Sequence, residues 1–266
     1  MRRALLATAL LLAATPAFAG MQVRPLEWTV GGDRFSGYLV HDDASDAKRP
    51  GLVMVPNWMG VTNDALERAK AVAGTEYVVL VADMYGKGRQ PRDSNEAGKL
   101  AGSLRGEDRG PLRARMQAAL ATLRAQAGRV PLDSARLGAF GFCFGGSAVL
   151  ELARAGADVA GVVSLHGGLA PGAKSPTSDA IPASVLVLNG ADDKGVTDAQ
   201  IAAFEQEMDA AKADWQFVDF SGAVHCFAEP SAGSDPASNC RYDERAAKRA
   251  YRMMDGFFRE RFATSP

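Results

Sequence analysis

A cysteine set among glycines is the feature of this sequence best suited to do chemistry. Residues 141–146 read Gly-Phe-Cys-Phe-Gly-Gly, which places Cys143 after an apolar run and before an Ala- and Leu-rich stretch. The glycines let a strand turn sharply into a helix, because no Cβ atom crowds the turn. The helix N-terminus then faces the exposed thiol and favours its thiolate form. The pattern predicts a nucleophile at Cys143; the alternative is a tight turn around a buried, inert cysteine.

A cysteine nucleophile needs a base to accept its proton, and that base needs a group that orients it. The sequence has three histidines, of which His41 lies in a peripheral N-terminal segment. His166 and His225 each follow a predicted strand, and sites in parallel sheets form at the carboxyl ends of strands. The order nucleophile, acid, histidine, which is typical of α/β-hydrolases, favours His225 as the base.

The orienting acid is expected between the nucleophile and the histidine, just after a strand end. The stretch 186–193 ends in two adjacent carboxylates, Asp192 and Asp193. Neighbouring loop side chains point in different directions, so only one of them can face the imidazole. We prefer Asp193, with Asp192 as the alternative and the other aspartate as a loop cap. A carboxylate in this place fixes the imidazole tautomer and stabilises the cation formed on proton transfer.

Acyl transfer also needs hydrogen-bond donors for the developing oxyanion. One expected donor is the backbone N–H of Phe144, immediately after the nucleophile. The other is the backbone N–H of Trp58, in the loop 56–60 that follows a predicted strand. The Trp58 indole either walls the pocket or simply packs against the core.

The segments that carry these residues alternate between apolar runs and helical patterns. This alternation predicts an α/β fold with a mostly parallel central sheet and helices on both faces. Strands are predicted at 23–30, 34–40, 51–55, 77–82, 136–140, 159–165, 184–188 and 215–220, the first two as an antiparallel hairpin. Helices are predicted at 112–123, at 147–155, from a capping box at 197–200 to about 212, and at the C-terminus. The polar, glycine-rich segment 85–110 is predicted to be a long loop, either an active-site lid or a mobile loop.

Composition and the N-terminus limit the classes of function. The 266 residues suit one α/β domain, and a net charge of −1 gives no support for a nucleic acid or an anionic membrane as partner. The basic pair 2–3, the apolar run 4–14 and Ala17-Phe18-Ala19 predict a signal peptide cleaved after Ala19, the alternative being an uncleaved anchor. We therefore expect residues 20–266 to form a single exported, periplasmic domain that is monomeric and acts on a small molecule.

The three cysteines fit an oxidising compartment. An odd count suggests one disulfide and one free thiol. Cys226 and Cys240 lie 14 residues apart and flank a polar loop, so a bridge between them would leave Cys143 free. The alternative is a pair of unbonded, partly buried thiols. The spacing matches neither Cys-x-x-Cys nor a standard zinc pattern, which disfavours a redox or metal role.

Taken together, these segments resemble the dienelactone hydrolase family. The resemblance rests on Gly-Phe-Cys-Phe-Gly-Gly, Gly-Ala-Asp-Asp-Lys-Gly-Val and Val-His-Cys-Phe, and it includes Val-Pro-Asn-Trp-Met-Gly and Ala-Asp-Met-Tyr-Gly. It covers essentially the whole mature chain. The resemblance implies a single α/β-hydrolase domain, a triad of Cys143, Asp193 and His225, and no cofactor. The Asp-x-x-Val pattern at 193–196 supports Asp193 over Asp192.

The sequence departs from this family where the family binds its substrate. Members that open dienelactones have a Gln-Glu pair where this chain has Pro56-Asn57, and a Ser and an Arg where it has Cys226 and Glu229. Lys87 is aligned with a further carboxylate-binding arginine. A glutamate beside the substrate repels an anionic lactone, so a neutral ester or lactone is expected. The pocket residues are expected to be Asn57, Tyr85, Lys87, His166, Cys226 and Glu229. The alternative is a degenerate, non-catalytic ligand-binding protein of the same fold.

Overall fold

The computed structural model describes residues 20–107, 109–172 and 180–263. The predicted signal peptide, residues 1–19, lies outside these residues. In the described part, eight strands form one sheet: β1 (Met21–Val30), β2 (Asp33–Asp42), β3 (Arg49–Val55), β4 (Val78–Val81), β5 (Leu132–Phe142), β6 (Gly161–Leu165), β7 (Ser184–Gly190) and β8 (Trp215–Phe220). The helices described are α1 (Asn63–Ala73), α2 (Ser94–Leu104), α3 (Gly110–Arg124), α4 (Phe144–Arg154), α5 (Asp198–Ala210) and α6 (Glu244–Ala263).

The sheet is mostly parallel, as the sequence predicts. Its strand order is β1-β2-β4-β3-β5-β6-β7-β8, and the pairs β1–β2 and β2–β4 are antiparallel. All pairs from β4 to β8 are parallel. The chain runs from β3 outward to β4 and then returns past β3 to β5. The carboxyl ends of β3 and β5 therefore mark the topological switch point, where ligands bind in open α/β sheets.

Helices cover both faces of the sheet, which confirms the predicted layers. Buried side chains of α1 and α6 pack on one face, in a cluster with β-strand residues such as Leu52 and Phe140. Buried side chains of α2, α3, α4 and α5 pack on the other face, around residues such as Val53 and Ala139. Successive side chains of β3 and β5 point to opposite faces of the sheet, and helices bury both faces. Each of these strands therefore reads as a continuous apolar run.

The N-terminal hairpin and the capping box are confirmed. Gly31 and Gly32 both have positive φ, at 56° and 91°, which suits a two-residue hairpin turn matched to strand twist. Thr197 and Gln200 form the capping box that opens α5. Most strands extend up to four residues beyond the predicted ends, whereas β4 is one residue shorter at each end and β6 begins two residues later than predicted.

The segment 85–110 differs from the predicted loop because it contains α2. The Asp93 side chain caps this helix by accepting a hydrogen bond from the Glu96 N–H at 2.9 Å. Ala97, Ala101 and Leu104 are buried against the core at helical spacing. This stripe is short, and glycines at 98 and 102 lower helix propensity, so tertiary packing decides the outcome.

A buried cluster of charged side chains links α4 to α3 and to the residue just before α3. Glu151 is fully buried, and its carboxylate lies 3.2 Å from Arg109, 3.0 Å from Arg113 and 3.1 Å from Arg154. Arg154 also pairs with Glu207 of α5 at 2.7 Å. Charges held away from water in this way depend on their partners for stability.

Removing one charge from this cluster is expected to destabilise the fold strongly. Glu151→Gln should lower the free energy of unfolding by about 3–5 kcal/mol, because it leaves buried arginines short of a counter-charge. Urea denaturation measures this change. Glu67→Gln is the matched control, because Glu67 pairs with Lys70 at the surface and such pairs contribute about 1 kcal/mol at most. Equal effects of the two substitutions would contradict the prediction.

No helix among the described residues is both long and apolar enough to cross a membrane.

Candidate active site

Cys143 occupies the sharp turn between β5 and α4. Its backbone has φ 52° and ψ −111°, a conformation that residues with a Cβ rarely adopt. The flanking glycines are required by contact: a Cβ at Gly141 would lie 2.3 Å from the Gly145 carbonyl. A Cβ at Gly145 would lie 2.0 Å from the carbonyl oxygen of Val55, at the end of β3. These two close approaches hold the turn against the neighbouring strand and leave the Cys143 thiol partly exposed.

His166 lies behind this turn. The N–H of Cys143 donates to the Leu165 carbonyl at 3.0 Å and to Nδ1 of His166 at 3.1 Å. His166 is completely buried, and its pKa lies well below the usual value because burial and the neighbouring His225 disfavour a second proton. A neutral ring that accepts at Nδ1 carries its proton on Nε2. His166 therefore braces the backbone of the turn.

His225 and Asp193 meet at the same edge of the sheet. Nδ1 of His225 and Oδ2 of Asp193 are 2.7 Å apart. Asp193 is 4% exposed, whereas Asp192 points to solvent. Gly190 permits this approach, because a Cβ there would lie 2.7 Å from two carbonyl oxygens in the loop before His225. The two loops that carry the acid and the histidine therefore pack directly on each other.

Two further donors hold the second oxygen of Asp193. Oδ1 accepts hydrogen bonds from the Gly195 N–H at 2.8 Å and from Nδ2 of Asn239 at 3.1 Å. Burial acts to raise the pKa of Asp193, but the bond to His225 and these two donors outweigh it and lower the pKa. The carboxylate therefore stays charged and fixed beside the imidazole.

The imidazole of His225 is held between two acceptors. Burial acts to lower its pKa, but hydrogen bonds to Asp193 and Cys143, with the charge on the sulfur, raise it to about 10. A histidine with this pKa is protonated at neutral pH. The arrangement therefore favours an imidazolium that lies beside both Asp193 and Cys143.

A disulfide joins the loop after His225 to the loop that carries Asn239. Cys226 and Cys240 are bonded, with Cα atoms 4.9 Å apart, and Cys143 is the free cysteine, as the sequence suggested. Residue 240 also forms an isolated β-bridge with His225, and the Arg241 N–H donates to the His225 carbonyl at 3.1 Å. These links keep Asn239 within reach of Asp193.

The two expected oxyanion donors lie on elements that contact each other. Phe144 is the first residue of α4, where backbone N–H groups have no partner within the helix. Trp58 follows β3, and its carbonyl accepts a hydrogen bond from the Tyr85 hydroxyl at 2.8 Å. The Tyr85 ring stacks on Phe144 with centroids 5.5 Å apart. Tyr85, 3% exposed, therefore ties the two donor segments together.

A cavity of about 370 Å³ opens above Cys143. It is lined by Asn57, Trp58, Met59, Thr62, Asp64, Arg68, Cys143, Cys226, Glu229, Ser231, Ala232 and Cys240. Of the expected pocket residues, the structure thus brings Asn57, Cys226 and Glu229 to the cavity at Cys143. Tyr85 and His166 lie beneath the site. Lys87 pairs with Glu27 and lines a different surface cavity.

Glu229, the carboxylate expected to repel an anionic lactone, is buried and paired. It is 1% exposed, and its Oε1 accepts from Nδ2 of Asn57 at 2.7 Å and from Arg68 at 2.9 Å. Burial raises the pKa of Glu229, with Arg68 opposing this shift. The Arg68 guanidinium also lies over the Phe142 ring, 5.2 Å from its centroid. Arg68 was missed in the sequence because it lies inside the buried stripe of α1, where an alanine pattern surrounds it.

The part of the chain that the structure describes contains no cluster of residues suited to bind a metal ion. Within residues 20–107, 109–172 and 180–263, no cluster of three or more His, Cys, Asp or Glu side chains is placed to hold a metal ion.

Known proteins are similar to this chain in both sequence and fold. The sequence model of the dienelactone hydrolase family matches residues 35–262. The dienelactone hydrolase-like promiscuous phosphotriesterase P91 from metagenomic libraries is 37% identical, over 91% of this chain and 99% of that one, with a TM-score of 0.84. A putative dienelactone hydrolase from Klebsiella pneumoniae has a TM-score of 0.74 at 22% identity, over 90% of this chain and 99% of that one. That second likeness concerns the fold alone.

A curated relative comes from Caenorhabditis elegans. This uncharacterized protein, K02A2.1, is 36% identical over 156 residues, which are 58% of this chain and 96% of the relative. The family match spans both the N-terminal hairpin and α6, and the fold agrees with that of the solved relatives. The chain therefore belongs to the dienelactone hydrolase family, a family of hydrolases with the α/β-hydrolase fold.

Proposed function

We propose that this protein hydrolyses small neutral carboxylic esters or lactones, with Cys143 as nucleophile, His225 as acid and base, and Asp193 as the group that orients His225. One observation carries the proposal: Nδ1 of His225 and Oδ2 of Asp193 are 2.7 Å apart, and Cys143, which lines a cavity, is close enough to His225 to raise the pKa of its imidazole. A nucleophile, a base and an orienting acid in this order suit covalent acyl transfer.

In the first half of the reaction, the Cys143 thiolate forms a bond to the ester carbonyl carbon. The carbonyl oxygen gains negative charge, which we expect the N–H groups of Phe144 and Trp58 to stabilise. As the tetrahedral intermediate collapses, the bond to the alkoxy group breaks and the His225 imidazolium gives that group its proton. An acyl thioester on Cys143 and a free alcohol remain.

In the second half, water replaces the alcohol. Neutral His225 takes a proton from the water molecule as its oxygen bonds to the acyl carbon. The bond from carbon to sulfur then breaks, which releases the carboxylic acid and restores the ion pair of thiolate and imidazolium. Asp193 keeps the imidazole in one orientation through both steps and stabilises its charged form.

The charges of the cavity favour a neutral substrate. Among the described residues that line the cavity, Arg68 alone is basic, and it is already paired with Glu229. Asp64 adds a further negative charge to the lining. An anionic lactone would therefore lose its hydration without gaining a free cationic partner.

A neutral phosphotriester is a second candidate substrate. The 37% identity with P91, which is named a promiscuous phosphotriesterase, favours this alternative. The test is a panel of p-nitrophenyl butyrate, a neutral aliphatic lactone and a dialkyl p-nitrophenyl phosphate. Turnover of the carboxylic ester supports the proposal, and turnover of the triester alone favours the second candidate. Ligand-induced thermal stabilisation without any turnover would instead indicate a binding protein.

The raised pKa of His225 predicts the protonation state of its imidazole. Burial opposes the second proton, but Asp193 and Cys143 outweigh it and raise the pKa to about 10, so we expect the ring to stay protonated between about pH 6 and 8. His41 is the internal control, because burial lowers its pKa and its ring should lose the second proton below the usual pH. NMR titration of both imidazoles measures these states, and a His225 ring that loses its second proton between pH 6 and 8 would contradict the prediction.

Asn239 is expected to act as a positioning residue for Asp193. Asn239→Ala removes one of the donors to Oδ1 and should lower kcat about tenfold, with a smaller change in KM. The acidic limb of the pH–rate profile should also shift, because the carboxylate is held less firmly. Ser238→Ala is the matched control, since its side chain bonds the backbone at Cys240 and not Asp193. An unchanged pH profile in Asn239→Ala would argue against the role.

We also propose that the protein acts outside the cytoplasm. The basic and apolar N-terminal sequence and the Cys226–Cys240 disulfide both support export to an oxidising compartment such as a bacterial periplasm. Fractionation of cells that express the full chain tests this proposal. Recovery of the unprocessed protein in the cytoplasm would oppose it.

A further inference from the structure

A second, larger cavity lies beside the cleft of Cys143 and has no part in the chemistry proposed above. It runs between α1 and α6 and has a volume of about 950 Å³, within the range of small-molecule sites. Its walls include apolar side chains from both helices and from the residue before β4: Ala71, Val72, Tyr77, Met254 and Phe258. We call this cavity the α1–α6 groove.

The groove adjoins the cleft. Asp64, Arg68 and Ser231 line both cavities, so the two lie side by side at these residues. Asp64 and Ser231 are exposed at this junction, whereas Arg68 is buried beneath it. The Arg68 charge is already paired with Glu229 at 2.9 Å. A paired guanidinium is weakly hydrated, so an apolar chain can cross it at low cost in desolvation.

The dimensions and charges of the groove indicate what it binds. Its lining on α1 runs from Asp64 to Val72, which is about 12 Å at the helical rise per residue. Three acidic and three basic side chains line it, so no net charge attracts an ion: Asp64, Glu67 and Asp255 against Arg68, Lys248 and Arg252. A long, concave and mostly apolar groove suits an extended neutral chain. A protein partner would instead need a broad interface.

We propose that the α1–α6 groove binds the apolar chain of the ester that Cys143 attacks, so that the substrates are neutral esters with an extended hydrocarbon part. The inference rests on the proposed function and adds a substrate class to it. Each methylene buried in the groove should raise kcat/KM roughly fourfold until the groove is full.

The test compares a short and a long ester in matched variants. Ala71→Phe places a ring in the groove from an exposed position on α1, where it does not crowd the core. Val72→Phe, from the adjacent half-buried position, gives a second block. Ala203→Phe is the control, because it makes the same change at an exposed site on α5, on the opposite face of the sheet. The substrates are p-nitrophenyl butyrate and p-nitrophenyl decanoate, both below the micellar concentration.

The unmodified protein should prefer the decanoate. Both blocking variants should lose at least about tenfold in kcat/KM for the decanoate and less than about twofold for the butyrate. The control should match the unmodified protein on both. Butyrate turnover without a preference for decanoate, or with a preference that survives both blocks, would overturn the inference and leave the esterase proposal intact. Parallel losses on both esters with a changed oligomeric state would assign the groove to a second copy of the chain. Absence of turnover on every ester would overturn the proposed function itself.

Discussion

Cys143→Ala is expected to abolish ester hydrolysis, with kcat falling by at least about 10⁴-fold. The alanine side chain cannot form an acyl intermediate, so only binding and the oxyanion donors remain to accelerate attack by water. The fold should persist, because Cys143 is partly exposed and the backbone of the turn is held by Leu165 and His166. Steady-state kinetics with p-nitrophenyl butyrate, alongside thermal unfolding, measures both effects.

Cys143→Ser tests whether activity depends on the reactivity of the thiol or only on the space that the side chain fills. A serine hydroxyl is a weaker nucleophile than a thiolate and must give its proton to His225 during attack, so this variant should keep only a small part of the activity. The pKa of His225 should fall in both variants, because the charge on the sulfur contributes to its present value of about 10. NMR titration of the imidazole checks this shift. Activity that survives in both variants would remove Cys143 from the mechanism.

The elbow could be predicted from sequence because its causes are local. The close approaches at Gly141 and Gly145 involve backbone atoms of the turn itself and of the adjoining strand, so glycine is demanded at fixed offsets from Cys143. The strand pattern predicted the parallel sheet for a similar reason, since a strand covered on both faces must be apolar throughout. Signals of this kind survive in a single sequence.

The choice between Asp192 and Asp193 was harder. Adjacent residues in one loop differ only in direction, and that direction is set by the Gly190 contact with the loop before His225. The supporting residues were harder still, because Asn57 meets Glu229 across 172 residues and Asn239 meets Asp193 across 46. No periodicity marks such pairs, because each partner reads as an ordinary polar residue in its own segment.

Residues expected to touch the substrate illustrate the same limit. Both Tyr85 and His166 follow strands that end at the site, so their positions in the chain correctly predicted that they lie near it. The sequence did not reveal how deeply the two side chains are buried. Both turn inward, and each hydrogen-bonds a backbone segment that carries another residue of the site. Helix α2 was missed for a related reason, because burial of its small residues is decided by the neighbouring core and not by propensity.

Asp193→Asn is expected to lower kcat between about 10²- and 10⁴-fold with little change in KM. The amide keeps the size of the side chain but removes the charge that the imidazolium needs, and its NH₂ group can reverse the ring tautomer. The pKa of His225 should therefore fall toward its usual value, and the rate should come to depend on pH near neutrality. Asp192→Asn is the matched control, because Asp192 is exposed next to Asp193, and it should leave kcat unchanged. If the two substitutions exchanged these effects, Asp192 would be the residue that orients the base.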